Sequence, residues 1–388
     1  MALQLTETSA IEYEKILYGR MTPRMAAAYL QEERISIRSF SETLKQMFPS
    51  EALARRLRDF YKKHVQQENP GSVDRKIQNW VSGRNHPTNR EDYFRIAFAL
   101  DLTEDKLNFL LGICTDYAVQ YRNGREAVLS WFLRNGLSYS QALRFLDTLP
   151  RPAGTEEDHI LEELHAGTDF MEKYPYDSEH GFTEISRITH EVRNEFLHAR
   201  NPKELRDCYL RNLDRFGRLH LRSYYYLRHY LKQLIQPNTF FEESELDYSI
   251  ETVMETYLTM HMPAGKNLRR YSLVQRLIKH NWPNATTIRR ILNQKEDVPR
   301  KLLILLYVVT ENSDLRAEYR EIDEEYISLE ERVEDHWWTL NALLAECGMA
   351  PLDLRNAFDW LIMYAISSSG EESMSSRLEE VIDELFKT

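Results

Sequence analysis

The stretch KIQNWVSGRNHPTNREDYFRIAFALDL, residues 76–102, decides how the chain is read. Taken with the residues just before it, Val73, Ile77, Trp80 and Val81 fall on one face of a helix over 73–82, and Asp74, Arg75, Gln78 and Asn79 face outward. Gly83 follows as a left-handed helix stop. Arg84, Asn85 and His86 make a polar loop up to Pro87. Asn89 is placed to cap a second helix, with Glu91 and Asp92 in its first turn complementing the helix dipole and Phe94, Ile96, Ala97 and Phe98 turned inward. Thr103 caps a third helix, TEDKLNFLL, which again opens on acids.

Outward from this stretch the pattern stays helical. LNALLAECG, RNAFDWLIMYAI and SRLEEVIDELF repeat apolar residues at i, i+3, i+4 and i+7, and no alternating run bounded by turn residues interrupts them. Glycine and proline, 13 each in 388 residues, are too few for a turn-rich β protein. The fold class expected is all-α. Three cysteines (Cys114, Cys208, Cys347) stand far apart, which supports neither a disulfide framework nor a zinc knuckle; no metal and no cofactor is expected. The first residues lack a basic segment leading into an apolar run, and the longest apolar run, LLILLYVV at 302–309, is short for a membrane span and reads as a buried helix. These features point to a cytoplasmic protein without a membrane partner.

A net charge of -11 argues against indiscriminate binding to nucleic acid, but the charge is uneven. From Arg55 to Arg95 there are ten Lys/Arg against five acids, and from Lys266 to Lys301 ten against two. Two basic islands in an acidic chain fit site-restricted phosphate contact; they also fit solvated helix faces. The first island contains the quoted stretch. A helix with a polar, donor-rich outer face suits the major groove of B-DNA, about 12 Å wide, where Arg and Asn supply bidentate hydrogen bonds to guanine and adenine.

At Ile77, Trp80, Ser82-Gly83-Arg84, Pro87 and RIAFALDL the chain resembles the Cro/phage-repressor (XRE-type) helix-turn-helix family, over about 36–112. The resemblance implies a five-helix DNA-binding unit whose recognition helix is 73–82. It places Asp74, Arg75 and Asn79 toward bases and Lys76, Arg84 and Asn85 near phosphates, with Gln78 also on the DNA-binding face. Upstream the sequence departs from the family pattern: ALARRLRDFYKKHVQQENPGS gives a long helix and a roomy loop where the family has a short helix and a tight turn.

The second island, RRYSLVQRLIKHNWPNATTIRRILNQKEDVPRK, reads similarly, with Leu273, Val274, Leu277 and Ile278 on one apolar face. Asn284 caps a helix carrying Ile288, Ile291 and Leu292 inward. Ile77, Trp80, Val81, Ser82, Gly83 and Arg84 line up by type with Ile288, Ile291, Leu292, Asn293, Gln294 and Lys295. Arg269, Arg270, Arg289, Arg290 and Lys295 form its basic patch, suited to a second DNA contact or to docking on the acidic 311–335 segment. RNEFLH, Arg193 to His198, is similar to the R-x(4–6)-H motif of HEPN ribonucleases, which implies His198 as acid/base and Arg193 as phosphate stabiliser. The same loose spacing recurs at Arg58/His64, Arg215/His220 and Arg222/His229, so it is weakly specific. LRSYYYLRHYLKQL (221–234) suits base stacking or, with Tyr224, Leu227, Leu231 and Leu234 at helical spacing, a core face.

The expected organisation is an N-terminal arm (1–35), a repressor-like helix-turn-helix domain (36–115), and a larger multi-helix region. That region comprises a middle part (116–262), a second basic unit (263–311) and a C-terminal part (312–388). The expected function is a DNA-binding transcription regulator, not an enzyme, with double-stranded DNA and a second copy of itself as partners. The alternatives are a helical adaptor that binds a protein partner through a repressor-like fold, and a HEPN-like ribonuclease.

Overall fold

The computed structural model describes residues 7–65, 69–115, 117–151, 183–217, 220–235, 250–254, 258–260, 262–263, 270–293, 295–310, 328–368 and 373–387. Among these the chain is helical throughout, with one isolated antiparallel bridge, Tyr117 to Met349. No helix among them is long and apolar enough to cross a membrane. The first helices are α1 (Glu7–Tyr18), α2 (Pro23–Gln31), α3 (Phe40–Met47), α4 (Leu53–His64), α5 (Pro70–Val81), α6 (Arg90–Leu100) and α7 (Glu104–Cys114). Next come α8 (Gly124–Arg134), α9 (Tyr139–Leu146), α10 (Thr183–His198), α11 (Pro202–Arg211), α12 (Leu221–Ile235) and the single turn α13 (Ile250–Val253). The last are α14 (Leu273–Asn281), α15 (Ala285–Leu292), α16 (Arg300–Thr310), α17 (Leu329–Glu346), α18 (Ala357–Ile366) and α19 (Met374–Phe386).

Two apolar cores form, and they cut across the segments expected from the sequence. One gathers α3–α9 with α10 and α11; the other gathers α1 and α2 with α12–α19. The arm 1–35 thus shares a core with 312–388, through close packing of α2 on α19. Ala26, Ala27 and Leu30 give α2 a small, fully buried face for that contact. Buried Glu12 of α1 accepts from the Trp360 indole at 3.0 Å and the Tyr29 hydroxyl at 2.9 Å, tying α1 to α18. The aromatic run of α12 is core: Tyr224, Leu227, Leu231 and Leu234 are all buried. So is the apolar run of α16, from Leu302 to Val309.

The two cores contain a repeated four-helix unit. LNFLLGICTDYAVQYRNGREAVLSWFL (107–133) aligns without a gap on LNALLAECGMAPLDLRNAFDWLIMYAI (340–366), an echo legible in the sequence that the reading above did not contain. The aligned residues make the same bonds. Asn108 Oδ1 accepts from Val119 N at 2.9 Å, and Asn341 Oδ1 from Leu352 N at 2.8 Å. Asn123 and Asn356 each cap the following helix with two amides. Each unit is clamped by an arginine at the first position of its first helix. Arg90 grips Glu126 with two bonds of 2.7 and 2.8 Å and donates to the carbonyls of Tyr117 and Ala118. Arg300 grips Asp359 with two bonds of 2.7 Å and donates to the carbonyls of Ala350 and Pro351, the aligned positions. Such bidentate pairs fix geometry as well as adding energy.

α6–α9 and α16–α19 pack among themselves in the same order. In the alignment Met349 matches position 116, so Tyr117 bridges to the counterpart of its own predecessor. That is the pairing expected of two copies related by a local two-fold axis.

Candidate nucleic-acid interface

α5 begins earlier than the periodicity predicts. The 69–72 stretch, which reads as a break, starts the helix: Asn69 Oδ1 accepts from Gly71 N at 3.0 Å, and Pro70 sits at the first helical position, where its missing N–H costs nothing. The rest of the local chemistry follows the sequence. Val73, Ile77 and Trp80 are buried, and Gly83 takes φ 76°. Asn79 O receives Arg84 N at 3.0 Å, which folds the turn back on the helix end. Ser41 Oγ donates to Val81 O at 2.6 Å and locks α3 to the same end. Asn89 and Thr103 cap α6 and α7 as expected. α6 is more enclosed than an amphipathic helix, with Tyr93, Phe94, Ile96, Ala97, Ala99 and Leu100 all buried and Phe98 only partly so. α4 packs on α5 and α6, and α3 on α5 and α7.

The outer face of α5 presents Asp74, Arg75 and Gln78 exposed and Asn79 half-buried. Asp74 is 3.5 Å from Arg58 of α4, and Arg58 also reaches Gln78 at 3.4 Å, so α4 and α5 share one polar surface. Lys76 does not belong to that surface. Its ammonium lies 2.9 Å from buried Asp92 and over the rings of Tyr61 and Trp80, at 5.5 and 5.2 Å. Asp92 also accepts from the Tyr61 hydroxyl at 2.7 Å and from Arg95 at 3.0 Å. The charge of Lys76 is thereby committed to the joint between α4, α5 and α6, and the phosphate contact implied for it would require leaving Asp92. Arg84 and Asn85 are exposed on the turn, while His86 is pinned, its Nδ1 at 3.0 Å from Pro87 O. Arg55, Lys62 and Lys63 on α4, Arg75 on α5 and Arg84 on the turn have no acidic partner within ion-pair distance among the described residues.

The second island is organised differently from the first. α15 turns Ile288, Ile291 and Leu292 inward and is capped by Asn284, as expected, with Arg289 and Arg290 exposed. However, α14 packs on α18 and α2, whereas α4 packs on α5. Val274 and Ile278 of α14 are buried, but Leu273, expected inward, is 38% exposed. Arg290 pairs with Glu296 at 2.8 Å, Lys295 is exposed, and Arg270 lies over the Tyr271 ring at 4.9 Å. Arg269 lies outside the described residues, as does the 311–327 part of the acidic segment proposed to dock there.

Arg193 and His198 are both exposed on α10. His198 Nδ1 is 2.7 Å from Asn194 O, so Nδ1 donates to that carbonyl. Among the described residues no His, Cys, Asp and Glu cluster could hold a metal ion. Burial raises the thiols of Cys114 and Cys347 to about 12, which keeps both protonated.

A cleft of about 1100 Å³ at the two-fold axis is absent from the sequence reading. It joins the Gly83–His86 turn to both repeated units. The repeat alignment was the one sequence signal that brings its two sides together. Compared with known proteins, the chain matches no family model, no curated protein and no solved structure.

Proposed function

We propose that this protein binds double-stranded DNA through α5, as a transcription regulator whose larger helical region provides self-association or effector control. One observation carries the reading: Asp74, Arg75, Gln78 and half-buried Asn79 form one face, and Arg75 and the neighbouring Arg55, Lys62, Lys63 and Arg84 have no acidic partner within ion-pair distance among the described residues, in a chain of net charge -11. In this reading Arg75 and Asn79 reach base edges, and Arg84, Lys62 and Lys63 hold phosphates and set register. Two copies of the chain would read half-sites one helical turn apart.

The test is selection from a random duplex pool followed by anisotropy titration across salt. Arg75→Ala and Asn79→Ala should weaken the selected site and relax its sequence preference. Lys62→Ala with Lys63→Ala should weaken all duplexes equally and flatten the salt slope. Failure to retain any duplex at low salt would overturn the proposal and leave the protein-binding adaptor.

A further inference from the structure

The cleft at the two-fold axis has three kinds of wall. One side is α7 and the loop after it, another is the matching α17 and its loop through Asn356, and the third is the Gly83–His86 turn with the start of α14 and the connection from Glu33 into α3. Its volume of about 1100 Å³ lies at the upper end for sites that enclose a small organic ligand, ~300–1,000 Å³.

Two features of the walls define what fits. First, three of the exposed large apolar side chains gather here: Phe109 is 45% exposed, Trp338 43% and Leu273 38%, and all three line the cleft. Second, six cations and four carboxylates line it, a positive surplus in an acidic chain. The carboxylates are largely engaged. Asp359 is gripped by Arg300, Asp353 lies 3.0 Å from Arg38, and Glu33 accepts from Leu273 N at 2.7 Å. Three of the other cations are not held by a carboxylate among the described residues. Arg355 donates to the carbonyls of Ser36 and Ile37, and Arg84 and Arg276 are exposed without an acidic partner among the described residues. Arg38 also stacks over Phe109 at 5.1 Å, which joins the apolar and cationic parts.

We propose that this cleft binds an amphipathic organic anion, in which an apolar or aromatic body lies against Phe109 and Trp338 and a carboxylate, phosphate or sulfonate is held by Arg84 and Arg276. Bidentate guanidinium contacts suit such head groups, and aromatic faces suit such a body. Because the amides of Arg84 and Asn85 both point to Asn79 O, a ligand held by Arg84 also fastens the end of α5. The site shares Arg84 with the proposed DNA contact, but ligand binding does not require that α5 reads DNA.

The probe is 8-anilinonaphthalene-1-sulfonate, titrated by fluorescence into the full chain. One saturable site per chain is expected. Arg84→Ala combined with Arg276→Ala should weaken it at least tenfold, and Trp338→Ala should do the same. Leu197→Ala, which removes an exposed apolar side chain elsewhere, should leave it unchanged. The uncharged N-phenyl-1-naphthylamine should bind at least tenfold more weakly and ignore the arginine substitutions. Inorganic phosphate at millimolar concentration should displace little, since it lacks the apolar body. Hydrogen exchange of the 82–86 amides should slow with probe bound. Non-saturating binding, equal binding of the uncharged analogue, or full binding by the double arginine variant would each overturn the proposal. The two arginines are exposed, so their variants test it even if Trp338→Ala fails to fold.

Discussion

The two repeated units solve the same problem at different depths. In α6–α9 the clamp is Arg90 on Glu126, with side chains 24% and 7% exposed; in α16–α19 it is Arg300 on Asp359, at 5% and 1%. Both arginines satisfy the same pair of loop carbonyls, and both carboxylates accept a backbone amide, Gln120 N at 3.0 Å and Asp353 N at 2.8 Å. The shorter aspartate draws its loop tighter over a drier site. The flanks of the axis differ as well. On one flank Arg122 pairs with Asp297 at 3.0 Å and Asp297 also accepts from His220 N at 2.8 Å. On the other the aligned Arg355 reaches only carbonyls of Ser36 and Ile37 beside the open cleft. The same local design therefore closes an ion pair on one side, at the edge of a smaller cleft of about 680 Å³, and leaves its arginine on backbone carbonyls on the other.

The difference in depth has measurable consequences. Asp359→Ala should destabilise by about 3–5 kcal/mol, because it strands a buried guanidinium. Glu126→Ala should cost about 2 kcal/mol, since Arg90 retains access to water. Urea unfolding of the two variants checks the order, and equal losses would end the argument from depth.

The flank held by Arg122 and Asp297 should be sensitive to acid. Burial, reinforced by the charge of Arg122, pushes the His220 imidazole down to about 3, against the opposing pull of Asp297. The unfolded chain then binds a proton below its ordinary pKa near 6.5 that the folded chain refuses. Stability attributable to this group is unaffected above that value and falls as pH drops from about 6.5 toward 3, by about 1.4 kcal/mol per pH unit. His220→Gln should flatten that part of the stability profile; an unchanged slope would remove His220 from the acid response.

The smallest effects should be the matched ones. Asn108→Ala and Asn341→Ala each remove one side-chain bond to a loop amide, Asn341 also losing its bond to Trp337 O within its own helix, and each should cost about 1 kcal/mol in thermal unfolding. A large disparity between them would mean that the two loops are not equivalent in energy, whatever their geometry.

Much of the first basic island was legible in the sequence because its signals are local. Asn89, Thr103 and Gly83 act within a few residues of themselves, and the inward face of α5 follows from periodicity. The start of α5 was misjudged because Pro70 breaks helices in their interior and favours their first turn, and sequence alone left the choice open. The inward swing of Lys76 was not legible. It depends on Asp92, which sits one element away and looks like an ordinary helix-dipole acid. The cleft was further out of reach. Arg84, Phe109, Arg276 and Trp338 are remote in sequence, and only the packing of four separate elements brings them to one cleft. Leu273 shows the same limit: its spacing says inward, and the packing of α14 on α18 and α2 leaves it at the cleft.

The packing of α2 on α19 sets an order of events during synthesis. The small face of Ala26, Ala27 and Leu30 is made early, and its partner helix begins only at Met374. At about 5–20 residues per second, the interval between them is on the order of half a minute. Throughout that time the unit α3–α9 can close on its own contacts, whereas α2 has no α19 to cover it. The second core is thus finished last, from both directions of the sequence at once. A nascent chain halted before Met374 should expose α2 to protease while α6 is already protected.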